Sequence, residues 1–200
     1  MTFPKNRSRV VALLAIAILI AAGAWLLFKP APKTNNGNSQ PSTQQGLQTG
    51  SQAQPVKEEA QDFTYQKPAD WAEMTKKLLD ASGAASGIAR PTTPAGTFTV
   101  KVSSTTPKDS NDLKNGTLAE LKKFSHFNLI SSADSKVDGV AGQKFNYSFS
   151  DASNQNSVTQ EMNVVVHNQK TYFLLFSGAS GDFDKEKPDF AQILTSFKFK

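Results

Sequence analysis

Residues 10–28 read VVALLAIAILIAAGAWLLF, nineteen in a row without a charged or polar side chain. A helix over that run rises about 1.5 Å per residue and reaches roughly 28 Å, close to the hydrocarbon thickness of a bilayer, about 30 Å. A run of this length and purity predicts a membrane-spanning signal-anchor helix over 10–28. The competing reading is a cleaved secretory signal, for which Lys5, Arg7 and Arg9 would form the basic start. Two features favour the anchor. The run exceeds the apolar stretch of about 7–15 residues usual in such signals, and the small triplet Ala22, Gly23, Ala24 leads into more membrane-type sequence, Trp25, Leu26, Leu27 and Phe28. The chain has no cysteine, which removes lipoprotein-type attachment, disulfides, thiolate catalysis and Cys-ligated zinc or iron–sulfur centres together.

The charges around the run set its direction. Residues 1–9 carry three basic side chains and the α-amino group, against Lys29 and Lys33 on the far side. The excess predicts a cytoplasmic 1–9 and an extracytoplasmic 30–200, hence a single-pass protein of the cell membrane. Trp25 and Phe28 fit the outer interface. The whole chain has a net charge of +5 and a pI near 9.3, which alone would suggest nucleic acid as a partner. The charge is unevenly placed. Residues 1–57 hold six basic and no acidic side chains, and residues 58–200 sum to −1. The basicity thus belongs to the membrane flank, the bilayer is the partner of residues 10–28, and nucleic acid drops out.

Residues 30–57 contain four Pro, three Gly, six Gln and three Asn, with Leu47 and Val56 the only sizeable apolar residues. Such a stretch cannot bury enough apolar surface to offset its ordering entropy, and predicts a disordered linker with a span of roughly 30 Å. Residues 58–200 are long enough for one globular core. Phe98, Val100 and Val102 alternate with Thr97, Thr99 and Lys101, as in a half-buried strand; Phe145, Tyr147 and Phe149 alternate with Asn146, Ser148 and Ser150. Residues 158–177 predict a β-hairpin turning at His167–Lys170. Helices are predicted from Thr117, where Thr117 and Glu120 form a capping box ahead of Leu121 and Phe124; over Phe190, Ile193, Leu194 and Phe197 with Pro188 in the first turn; and over 70–81, with Trp71, Met74, Leu78 and Leu79 inward. Asn115 and Gly116 read as a turn. Helices flanking consecutive strands make the domain α+β.

Three stretches resemble one family. Phe63, Tyr65, Pro68 and Trp71 are similar to the aromatic–Tyr–x–x–Pro–x–x–Trp opening of PsbP-like domains. Val137, Gly139 and Ala141 resemble the family's V-x-G-x-A turn before a long strand. Phe183, then Phe190, Ile193, Ser196, Phe197 and Phe199, resemble its last helix and terminal S-F-x-F. The order of elements agrees over nearly all of 61–200, while 82–96 matches nothing in the family. The resemblance implies an α/β/α sandwich around a central antiparallel sheet. It also implies a non-enzymatic accessory or binding role, with an envelope protein or a small ligand as partner. Manganese or calcium binding by plant relatives carries over to no residue of this chain.

No constellation of catalytic residues emerges. His126 and His167 are the only histidines, fewer than the three or four convergent ligands of a transition-metal site. Asp182, Asp184 and Glu186 begin like a calcium loop, but Lys187 stands where the loop needs Gly and Ile193 where it needs Glu, so helix-start capping with Asp189 explains them better. Gly178, Ser180 and Gly181 fall one residue short of a nucleophile elbow, and no phosphate loop is present. Asn115 and Asn146 stand in glycosylation tripeptides. No catalytic, cofactor-binding or metal-ligating residue is assigned and no cofactor is implied. The alternatives are an envelope hydrolase with a histidine base, or a metal carrier or sensor.

Overall fold

The alternating runs become the long strands of one antiparallel sheet, because each has two sets of side chains to bury. A computed structural model describes residues 54–56 (backbone only), 62–92, 94–150 and 157–200. The predicted membrane helix, 10–28, lies outside the described residues, as do residues 30–53 and 57 of the linker. Among the described residues no helix is long and apolar enough to cross a membrane. The strands are β1 (Gln54–Val56), β2 (Phe63–Lys67), β3 (Ala72–Glu73), β4 (Ser86–Arg90), β5 (Gly96–Ser103), β6 (Asn128–Val137), β7 (Val140–Ser150), β8 (Ser157–His167), β9 (Lys170–Ala179) and β10 (Lys198–Phe199). The helices are α1 (Lys76–Ser82), α2 (Ser110–Leu121) and α3 (Phe183–Ser196). The fold is α+β: a seven-stranded antiparallel sheet in the order β3-β4-β5-β9-β8-β7-β6, with a small sheet β1-β2-β10.

Alternation on the strands feeds two cores. Phe98, Val100, Val165, Tyr172, Leu174 and Phe176 join Trp71, Phe190, Ile193 and Phe197 in one. Phe145, Tyr147, Met162, Val164 and Leu175 join Leu113, Leu121 and Phe124 in the other. Since Leu174 and Leu175 are neighbours on β9, the two clusters lie on opposite faces of the sheet. Aromatic contacts tie α3 down: Phe176 lies 4.6 Å from Phe98 and 4.5 Å from Phe190, ring centre to ring centre. Asp138, in the β6–β7 turn, accepts from Lys198 Nζ at 2.6 Å and from the Phe199 backbone N–H at 3.0 Å, which fixes β10. That turn places both Asp138 and Gly139 at positive φ, 49° and 78°, the geometry that matches the twist of a two-residue hairpin.

The hairpin over 158–177 and the strands at 97–102 and 143–150 form where the alternation places them. The helix boundaries need correction. α2 starts at Ser110, capped by Asp109 Oδ1 accepting from the Asp112 N–H at 2.8 Å, so Thr117 is a buried mid-helix residue and Asn115–Gly116 is helix, not turn. The Asp109 cap competes directly with the Thr117 box, and the polar first turn hides it from apolar periodicity. α3 begins at Phe183, placing Pro188 inside the helix. The segment 70–81 divides: Ala72–Glu73 pairs with β4, and α1 starts only at Lys76, after the Thr75 cap. Gln54–Val56, inside the stretch read as linker, pairs with β2. Such a strand needs only backbone hydrogen bonds, and its Pro55 is tolerated at a sheet edge.

One substitution at two glycines should act in opposite directions. A Cβ on Gly116 would meet nothing within 4 Å in the middle of α2, whereas on Gly142 it would lie 2.2 Å from the Val164 carbonyl oxygen. Gly116→Ala should therefore stabilise by about 0.5–1 kcal/mol, through helix propensity and a less flexible unfolded chain. Gly142→Ala should cost about 2 kcal/mol or more, because backbone must shift. Chemical unfolding midpoints of the two variants check both signs.

Candidate functional site

The sequence singled out residues that the fold keeps apart. His126 is exposed in the turn after α2, at a φ of 51°. His167 ends β8 and stacks on Phe199 with ring centres 4.4 Å apart. Asn128, beside His126, shares a ladder row with Ser148 and Thr159, and His167 stands eight residues further along β8. At about 3.3 Å per residue the two imidazoles belong to ends of the sheet roughly 26 Å apart. Ser180 meets the hydroxyls of Ser157 and Thr159 at 2.8 and 2.9 Å. The acidic group also disperses: Asp182 pairs with Lys185, Asp184 with Lys187, and Asp182 makes no side-chain cap bond. Among the described residues no group of three or more His, Cys, Asp or Glu is placed to hold a metal ion.

Two charged side chains that sequence patterning does not announce stand out instead. Arg90 ends β4 and points at the start of α3. Its guanidinium bonds Glu186 Oε1 at 3.0 Å and Asp189 Oδ2, lies 2.7 Å from Asp70 Oδ2, and sits over the Trp71 ring, whose Nε1–H donates to Asp189 at 3.2 Å. Glu186 has no solvent exposure, and its Oε2 has no hydrogen-bond partner among the described residues. Burial pushes the Glu186 carboxyl up, against the pull of Arg90. One guanidinium thus gathers three carboxylates and ties β4 to α3. Breaking a buried pair of this kind strands a charge, so the arrangement serves the fold.

Lys101 is different, because nothing among the described residues answers it. It lies mid-β5, on the face opposite Phe98 and Val100, where Thr97, Thr99 and Ser103 are buried as well. The sequence alternation assigns this face to solvent. The structure buries it because β5 is an interior strand and both sheet faces carry cores. Gly87 marks the same packing: a Cβ there would press on Thr99, Leu79 of α1 and Met74. Lys101 is 5% exposed, and its Nζ has no hydrogen-bond partner among the described residues. Burial alone pulls the amine down from an ordinary 10.5 to about 8. Its ladder neighbours are Phe173 and then Val164, and most of the polar side chains elsewhere on this face have partners. Thr171 Oγ1 donates to the Thr105 carbonyl at 2.7 Å, Tyr147 donates to Gln160 Oε1 at 2.6 Å, and Gln160 Nε2 donates to Ser177 at 2.7 Å. Gln143 Nε2 donates to Asp134 Oδ1 at 2.6 Å, while its Oε1 has no partner among the described residues. A buried amine without a counter-charge is suited to holding an anionic or carbonyl group.

The lysine has a measurable signature. Below pH 8 both folded and unfolded chains hold the proton, and folding bears the cost of burying it. Between pH 8 and 10.5 only the unfolded chain holds it, so this group makes stability rise with pH. Lys101→Met should raise the unfolding free energy at pH 7 by roughly 3 kcal/mol and remove that rise. Urea unfolding of both proteins across the pH range checks it. A variant less stable than the parent, or an unchanged slope, would contradict the assignment.

Cyanobacterial PsbP (CyanoP) from Synechocystis sp. PCC 6803 superposes with a TM-score of 0.56 at 17% identity, covering 79% of this chain and 98% of its own. LpqN, described as involved in cell envelope biogenesis of Mycobacterium tuberculosis, gives 0.53 at 14%, over 74% and 85%. The Ran-binding protein Mog1p of Saccharomyces cerevisiae gives 0.50 at 7%, over 75% and 96%. At these identities the likeness is one of fold. No curated protein matches the sequence significantly. The PsbP family model, however, matches residues 51–199, nearly the whole described domain together with β1. The chain belongs to the PsbP family.

Proposed function

We propose that this chain is a single-pass membrane protein whose PsbP domain stands outside the cytoplasm as a non-enzymatic accessory that binds an envelope protein or a small ligand. The observation that carries the reading is order along the chain. The family match over 51–199 follows an uninterrupted apolar run at 10–28 and a polar stretch without a single acidic residue. The apolar run has the length and purity of a membrane anchor, and the polar stretch after it has the composition of a spacer. The named relatives supply the rest by analogy of fold: one is described as Ran-binding and another as involved in envelope biogenesis. The buried, unanswered Lys101 favours an anionic or carbonyl-bearing group if the partner is a small ligand.

The experiment is crosslinking in intact cells, followed by affinity purification of the full chain from solubilised membranes. A chain lacking residues 10–28 and a Lys101→Met variant run in parallel. The proposal expects the full chain in the membrane fraction, an alkaline phosphatase fused after Lys200 to be active, and one partner enriched only when the anchor is present. A soluble full chain, an inactive fusion, or no enriched protein and no co-purifying ligand would contradict it.

A further inference from the structure

We propose that the outer edge of β6 is a self-association surface, through which two copies of this chain join their seven-stranded sheets across a two-fold axis at Ser135. This is independent of the membrane reading. Among the described residues β6 pairs with β7 alone and closes one side of the sheet. It is ten residues long and exposed along most of its length, whereas β3 at the other edge has two residues. Leu129 and Ile130, 37% and 57% exposed, are the large apolar side chains left open among the described residues, and both lie on this strand. Long edges of this kind offer a row of backbone donors and acceptors to another strand.

The ladder tells which groups face outward. Val137 and Val140 flank a two-residue turn and exchange hydrogen bonds, and the direction alternates along the strand, so the N–H and C=O of Lys136, Asp134 and Ser132 point away from β7. An antiparallel copy must set outward residues against outward residues, and side chains then choose among the registers. Centring on Asp134 sets each Asp134 against itself. Centring on Ala133 sets Lys136 against Ile130, where the β6–β7 register shifts between Leu129 and Ser131. Centring on Ser135 sets Asp134 against the other copy's Lys136 twice, with both pairs on one face and backbone hydrogen bonds within each. Both side chains are exposed, and Asp134 uses Oδ1 for Gln143, leaving Oδ2 for a second partner. The same register brings Leu129 and Ile130 beside the other copy's β6–β7 turn. Pairing over so few residues buries less than the roughly 1,600 Å² of a standard interface, so association is weak and rises with concentration.

The test is sedimentation of the full chain in detergent micelles over a concentration series, with Asp134→Lys, Lys136→Asp and an equimolar mixture of the two. The parent should pass from monomer to dimer. Each single variant should associate about tenfold more weakly, because both symmetric pairs become like-charged. The mixture should recover association, since one chain's two lysines then face the other's two aspartates. Recovery also shows that both variants are folded. A parent that stays monomeric throughout would overturn the proposal and leave this edge to an extended segment of another protein. Association insensitive to both substitutions would overturn it too, placing the contact elsewhere, such as residues 10–28. Weakening without recovery in the mixture would overturn the register.

Discussion

Burial of both faces of β9 is the constraint on which the rest of the structure depends. Tyr172, Leu174 and Phe176 enter one core and Leu175 the other, with Phe173 packed against it. A strand in that position must have a neighbour on each side and a helical cover on each face. β5 and β8 supply the neighbours, α3 closes one core and α2 the other. Phe176 makes the coupling concrete, since its ring touches Phe98 of β5 and Phe190 of α3 at once. Removing a buried aromatic of this kind typically costs about 3–5 kcal/mol, a large share of what a domain of this size possesses.

Two-sided burial also explains where the charges went. An interior strand with helices on both sides has no solvent face, so polar residues on it must find partners inside or do without. Arg90 finds three carboxylates. Lys101 finds none, and its amine is depressed accordingly. The contrast separates a cluster that fastens two elements from a group whose chemistry is still open. An unanswered buried amine lowers stability unless something compensates it.

Much of this was legible in the sequence. The strands at 97–102, 143–150 and 158–177 follow from period-two alternation, and the apolar stripe of α3 from Phe190, Ile193 and Phe197. What stayed hidden has identifiable causes. The start of α2 depends on a local hydrogen bond from Asp109 rather than on apolar spacing. The start of α3 lies before a proline that conventionally marks a first turn. β1 and β3 are short pairings of backbone with little side-chain signal. Lys101 could not be found by pattern, because alternation describes a strand with one wet face and β5 has none. Arg90 reaches residues almost a hundred positions away, and no local rule connects them.

Amide hydrogen exchange on the full chain at low concentration tests the central claim most directly. If β9 organises the fold, the amides of Tyr172 to Phe176 exchange only through global unfolding, at rates that follow overall stability, while the outward amides of Ser132, Asp134 and Lys136 exchange orders of magnitude faster. Exchange of the β9 amides through local opening, as fast as those of β6, would contradict it.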